Sequence, residues 1–133
     1  MTDSIEDITS GYLPLPCDAI VYRTLIKRRW INEDTGEVLP DAFFRRKARN
    51  EVGISVNIAT ALTPAECTSR FDKCNAVASL HVGRVRDLGL DIIQDRPTHA
   101  DIMNLPYRED DPPTAERLAG MLAKQSRIIR VDS

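Results

Sequence analysis

Residues 53–59, GISVNIA, alternate with a period of two, and no other stretch constrains the fold as tightly. Ile54, Val56 and Ile58 fall on one side of an extended chain, while Gly53, Ser55, Asn57 and Ala59 fall on the other. A strand of this pattern needs a hydrophobic layer against one face. The opposite face is small, polar and able to hydrogen-bond. The residues leading into the strand carry the aromatic pair Phe43 and Phe44 and a basic cluster of Arg45, Arg46, Lys47 and Arg49.

Further elements follow from the same reasoning. Residues 19–26, AIVYRTLI, are rich in β-branched and aromatic side chains and read as a first strand, with Arg23 sharing a face with Val21 and Leu25. Lys27, Arg28, Arg29 and Trp30 follow as a second basic cluster, and the NEDTG of residues 32–36 has turn chemistry suited to a hairpin. Thr63, Pro64 and Glu66 form a capping box, predicting a helix to about Lys73 that buries Cys67, Phe71 and Cys74. Residues 76–82 and 90–94 read as strands, with a helical turn closed by Gly89 between them. Residues 98–101, THAD, resemble a weaker helix cap. Residues 114–126 carry the i, i+3, i+4, i+7 stripe of Ala115, Leu118, Ala119 and Leu122, and residues 128–131 read as a closing strand. The carboxylates Glu109, Asp110 and Asp111 precede that last helix and are read as its N-terminal charges.

The expected architecture is α+β: one domain over residues 19–133, with a mostly antiparallel sheet of about five strands packed by two main helices, preceded by an acidic arm over residues 1–18. At 133 residues the chain can bury roughly two-thirds of its unfolded surface. The net charge of −2 gives no overall attraction to nucleic acid or anionic membrane, so any such attraction must be local. No apolar run approaches the ~18 residues of a membrane span, and the polar acidic start is unlike a secretory signal, so a cytoplasmic protein is expected. The odd set Cys17, Cys67 and Cys74 argues against a disulfide framework. A zinc set of Cys67, Cys74, His81 and His99 can be drawn, but its spacing matches no common pattern and no metal is expected.

Signatures for phosphate-cradling glycine loops, nucleophile elbows and metal-binding helices are missing from the sequence. Two candidate sites remain. The first is a basic-aromatic surface of Arg28, Arg29, Trp30, Phe43, Arg45, Arg46, Lys47 and Arg49, which has the charge and rings to meet a larger protein partner or nucleic acid. The second is the polar strand set of Arg23, Ser55, His81 and His99, which would grip a phosphate or position a nucleophile if the strand order brought it together.

Tyr22 with Arg23, Trp30, Ala42 with Phe43, Ser55 with Val56, and His99 with Ala100 resemble the pattern of a type of small bacterial protein. That likeness implies a bacterial source and no particular activity. An arginine on an early strand and a serine on the next also resemble ADP-ribosyltransferase-like and RES-type domains, which consume NAD. The resemblance implies that Arg23 binds the NAD phosphates and Ser55 buttresses the nicotinamide site, with His81 or His99 assisting. Such enzymes generally need an acidic or equivalent residue on a later strand to orient the ribose. Here Glu116 falls on a helix and Glu51 precedes the serine strand, so neither fills that place.

The expectation is therefore an accessory protein without a cofactor, acting through its basic-aromatic surface. The alternatives are an NAD-consuming transferase built on Arg23 and Ser55, or a subunit with no activity of its own.

Overall fold

The computed structural model describes residues 11–131, and the expected arm's Asp3, Glu6 and Asp7 lie outside them. The described residues form an α+β fold around a six-stranded antiparallel sheet. Its strands are β1 (Ile20–Thr24), β2 (Ile54–Ile58), β3 (Ala76–His81), β4 (Asp91–Arg96), β5 (His99–Met103) and β6 (Arg127–Arg130), in the order β4-β5-β2-β1-β3-β6. The helices are α1 (Pro64–Thr68), α2 (Val82–Arg86) and α3 (Pro112–Gln125), with 3-10 turns at Arg28–Trp30, Pro40–Phe43 and Lys47–Arg49.

The alternation in β2 sets the layers. Ile54, Val56 and Ile58 are buried, as their spacing predicts. Directly paired residues of an antiparallel ladder share a face, so the register adds Val21 and Leu80 from β1 and β3, and Ala100, Ile102 and Ile92 from β5 and β4. Helix α3 packs against the Pro40–Phe43 turn and buries Leu118, Ala119 and Leu122. Truncating the wholly buried Leu122 to alanine would cost about 2–5 kcal/mol. Asp111 caps α3 by accepting from the Thr114 N–H, so the acidic loop acts at the helix terminus.

On the other face, α1 contacts β1 and β3. Its capping box is complete: Thr63 Oγ1 accepts from Glu66 N–H at 3.1 Å and Glu66 Oε1 accepts from Thr63 N–H at 2.9 Å. The helix ends at Thr68, short of the predicted Lys73, and Phe71 is 45% exposed and outside the expected buried stripe. Of the arm, Leu15 joins the core while Leu13 stays exposed.

The sixth strand is β5, where the sequence suggests a helix cap. His99–Met103 pairs with β2 on one side and β4 on the other. Close approach of β2 to β5 explains Gly53, because a Cβ there would lie 2.5 Å from the Ile102 carbonyl oxygen. No helix among the described residues is long and apolar enough to cross a membrane.

Candidate functional site: a cationic cleft at a parting of the sheet

The site begins where β1 and β2 separate. The two strands pair through Val21 with Ile58 and Tyr22 with Asn57, whereas β1 pairs with β3 over its full length. Beyond Tyr22 the Ser55 carbonyl takes its hydrogen bond from the Arg23 guanidinium instead. Arg23 Nη1 donates to it at 3.0 Å, Nε donates to the Ala42 carbonyl at 2.9 Å, and the guanidinium lies 5.0 Å from the Trp30 ring centroid. Among the described residues Arg23 has no carboxylate within ion-pair distance. Burial pushes its pKa down to about 10, with Glu51 acting in the opposite sense, so the guanidinium still carries its charge at neutral pH.

A cleft of about 340 Å³ opens beside this junction, within the size range of small-molecule pockets. Arg23, Ser55 and His99 all line it, and with them Arg46, Arg49, Arg70 and Arg96, opposed by Glu51 alone among the acidic side chains. Low-dielectric walls lined by one sign of charge concentrate the field and favour an anionic ligand.

The polar face of β2 meets β5 here. Ser55 stands opposite Asp101 in the register, and Asn57 opposite His99. His99 Nδ1 lies 2.6 Å from Asp95 Oδ1, and Nε2 lies 2.5 Å from Ser55 Oγ. An ionised carboxylate only accepts, so Nδ1 carries the proton and Nε2 accepts from the Ser55 hydroxyl. Asp95, His99 and Ser55 thus form a hydrogen-bonded relay able to take a proton from Ser55 or from a group bound in its place. Asp101 Oδ1 is 3.9 Å from His99 Nε2. Burial raises the Asp101 pKa; His99, when it carries the imidazolium charge, works against that rise and Asp95 adds to it. Asp95, His99 and Asp101 also bring ligand atoms within 4.8 Å of one another, but a cation there would require His99 to give up a hydrogen bond. No three of Cys67, Cys74, His81 and His99 gather at that distance.

Of the polar strand set, Arg23, Ser55 and His99 come together and His81 does not. His81 pairs with Ile20 at the far end of β1, four residues from the position that faces Ser55, roughly 13 Å along the strand. The partners missing from the sequence reading are Asp95 and Asp101. The signal for Asp101 was the alternation of His99, Asp101 and Met103 with buried Ala100 and Ile102, whereas Asp95 lies on β4 outside that pattern.

The basic-aromatic surface is largely used by the fold. Phe43 is wholly buried and Trp30 is 5% exposed, so neither ring presents a face for stacking. Arg45 donates to the Glu51 and Leu105 carbonyls at 2.6 and 2.9 Å, beneath which Tyr107 stacks at 4.0 Å. Arg46 Nε and Nη2 both bond Glu51 Oε2, at 3.0 and 2.7 Å. Burial works against the Glu51 carboxylate, but the Arg46 guanidinium and backbone N–H outweigh it and hold the pKa below the usual range. Lys47 pairs with Asp110 at 2.6 Å. Lys27, Arg28, Arg29 and Arg49 remain exposed. Against family models, curated proteins and solved structures, this chain finds no match.

Proposed function

We propose that the cleft is the active site of an NAD-consuming, ADP-ribosyltransferase-like enzyme. The observation that carries this reading is the meeting in one cleft, from three neighbouring strands, of Arg23 on β1, Ser55 on β2 and His99 on β5. Asp101 stands behind that lining, opposite Ser55 in the register and 3.9 Å from His99 Nε2. Asp101 is the later-strand acidic residue that the resemblance requires. The surrounding arginines suit a pyrophosphate, and a guanidinium without a carboxylate partner suits one of its phosphates.

In this mechanism the C1′–N bond of the nicotinamide ribose breaks, and its electron pair leaves with neutral nicotinamide. The Asp101 carboxylate stabilises the positive charge that develops on the ribose. An acceptor hydroxyl or amine then bonds to C1′, and its proton passes to His99 Nε2 while Asp95 holds the imidazolium. Ser55 holds His99 in register and faces the nicotinamide.

Nicotinamide release from NAD tests the reading. The parent is expected to release it, and Asp101→Asn is expected to lower the rate by about 100-fold or more with the melting temperature retained. Burial raises the Asp101 pKa, and the carboxylate is the active form. The acid limb of the rate profile should therefore fall above the ordinary carboxylate value of 3.8, with activity rising as pH increases through it. Absence of turnover together with no NAD-induced rise in melting temperature would overturn the proposal.

A second reading rests on Lys27, Arg28 and Arg29, which are exposed and have no ion pair among the described residues. They suit docking to an acidic protein partner or a nucleic-acid backbone. Arg28→Glu is then expected to abolish salt-sensitive capture of that partner, and capture indifferent to both salt and this change would exclude it.

A further inference from the structure

Arg23 and Arg46 line a second, smaller basin as well as the cleft. Its cationic lining is Arg23, Lys27, Arg29, Arg46 and Arg108, and Asp41 is its only carboxylate. Arg46 and Arg108 are already compensated, by Glu51 at 2.7 Å and Glu116 at 3.2 Å. Arg23, Lys27 and Arg29 have no ion pair among the described residues. Two of the guanidiniums are held by aromatic rings: Arg23 at 5.0 Å from the Trp30 centroid and Arg108 at 4.4 Å from that of Phe44. Their planes are thereby set before any ligand arrives, which reduces the ordering cost of binding.

The basin encloses about 200 Å³. That is room for about six waters at roughly 30 Å³ each. It falls below the ~300 Å³ at which pockets for drug-sized ligands begin. One tetrahedral oxyanion with part of its hydration shell fits this space, and a larger ligand leaves its remainder outside it. Forked guanidinium donors match the oxygens of phosphate, and Lys27 adds a mobile point charge at the rim.

We propose that this basin is a binding site for a phosphate-type oxyanion, separate from the cleft at Ser55 although Arg23 and Arg46 border both. The anion is either free phosphate or the phosphate group of a small ligand whose remainder lies outside the basin. Arg23 then faces an anion on each of its two sides.

The test is calorimetric titration of the full chain with inorganic phosphate and, separately, with ribose 5-phosphate, in the parent and in Lys27→Ala/Arg29→Ala. Both substituted residues are exposed and line only the smaller basin, so the fold and the cleft are left intact. The double variant is expected to bind phosphate about tenfold more weakly or worse, with the NAD-induced rise in melting temperature unchanged. Tighter binding of ribose 5-phosphate than of phosphate supports the site and assigns it to the end of a larger ligand. Equal binding supports it as a site for the free anion. Failure of the parent to bind either ligand, or equal affinity in parent and double variant, overturns the proposal. If the parent consumes no NAD yet loses phosphate binding with Lys27 and Arg29, the basin stands and the transferase reading falls.

Discussion

Two basic clusters of similar composition have opposite fates in this fold. In the segment around Arg45 and Arg46, guanidiniums turn back onto the chain and become its hydrogen-bond donors. In the segment of Lys27, Arg28 and Arg29, the side chains point outward and only the neighbouring Trp30 enters the core. The difference lies in what surrounds each. Both segments hold a short 3-10 turn, but beside Arg45 the carbonyls of Glu51 and Leu105 lie outside any ladder. A buried carbonyl must be paired, and the nearest long donors are arginines. Residues 28–30 close their own backbone as a 3-10 turn and leave the charges unused. Cationic composition alone therefore does not identify a binding surface; the accounting of backbone acceptors separates structural arginines from available ones.

The contrast predicts unequal responses to substitution. Arg45→Ala should have the largest effect. It removes two charge-assisted hydrogen bonds to carbonyls and the stacking contact with Tyr107. The Glu51 carbonyl keeps the Tyr107 hydroxyl as a partner at 2.9 Å, whereas the Leu105 carbonyl loses the guanidinium donor. A loss of about 3 kcal/mol is expected in urea unfolding. A change as small as that for an exposed lysine would mean that the Arg45 side chain is not part of the fold.

The same accounting explains what the sequence made legible. The β2 alternation was readable because hydrophobic and polar positions differ sharply in size, and the Thr63–Glu66 capping box because both partners are local. The strand β5 was not. Thr98 and Asp101 have the residue types of a helix cap, and the alternation is only five residues long, with Ala100 as a weak hydrophobic marker. Tertiary pairing on both edges overrode that local preference. Losing β5 from the reading also lost the site, since Asp101 reaches Ser55 through register and Asp95 reaches His99 across the irregular pairing between Gln94 and Arg96. The inward turn of Arg45 was equally hidden, because Leu105 lies sixty positions away in sequence.

Glu51→Gln tests the middle of the scale. The carboxylate accepts the Arg46 backbone N–H at 2.7 Å through one oxygen and two guanidinium bonds through the other. An amide of the same shape has one acceptor oxygen, so it loses the charge and turns its NH2 against one of these donors. A cost of about 1–2 kcal/mol at neutral pH is expected for this half-buried pair. The sign with pH follows from the lowered folded-state pKa. The unfolded carboxylate, near 4.5, takes up protons first, so the stabilisation is fully present above that value and declines as pH falls towards the folded-state pKa. The parent should therefore lose stability across that acid window, and the glutamine variant should show a shallower decline. Parallel acid limbs in the two proteins would place the stabilisation elsewhere.

Lys47→Ala should have the smallest effect, although its 2.6 Å contact with Asp110 is among the shortest ion pairs in the fold. Both side chains are half exposed, so water screens the attraction and holding a long side chain in one geometry consumes much of the gain. The hydrogen bond to Asp110 raises the Lys47 pKa, so the pair's contribution is fully present at neutral pH and disappears only as pH rises past the ordinary lysine value of 10.5 and through the folded-state pKa. Neutral pH is thus the fairest condition for detecting it. We expect the urea midpoints of parent and Lys47→Ala to coincide there, at both low and moderate salt. A clear salt-sensitive loss would show that Lys47 belongs with Arg45 and Arg46 as part of the fold, and that exposure rather than carbonyl pairing is the poorer guide within this cluster.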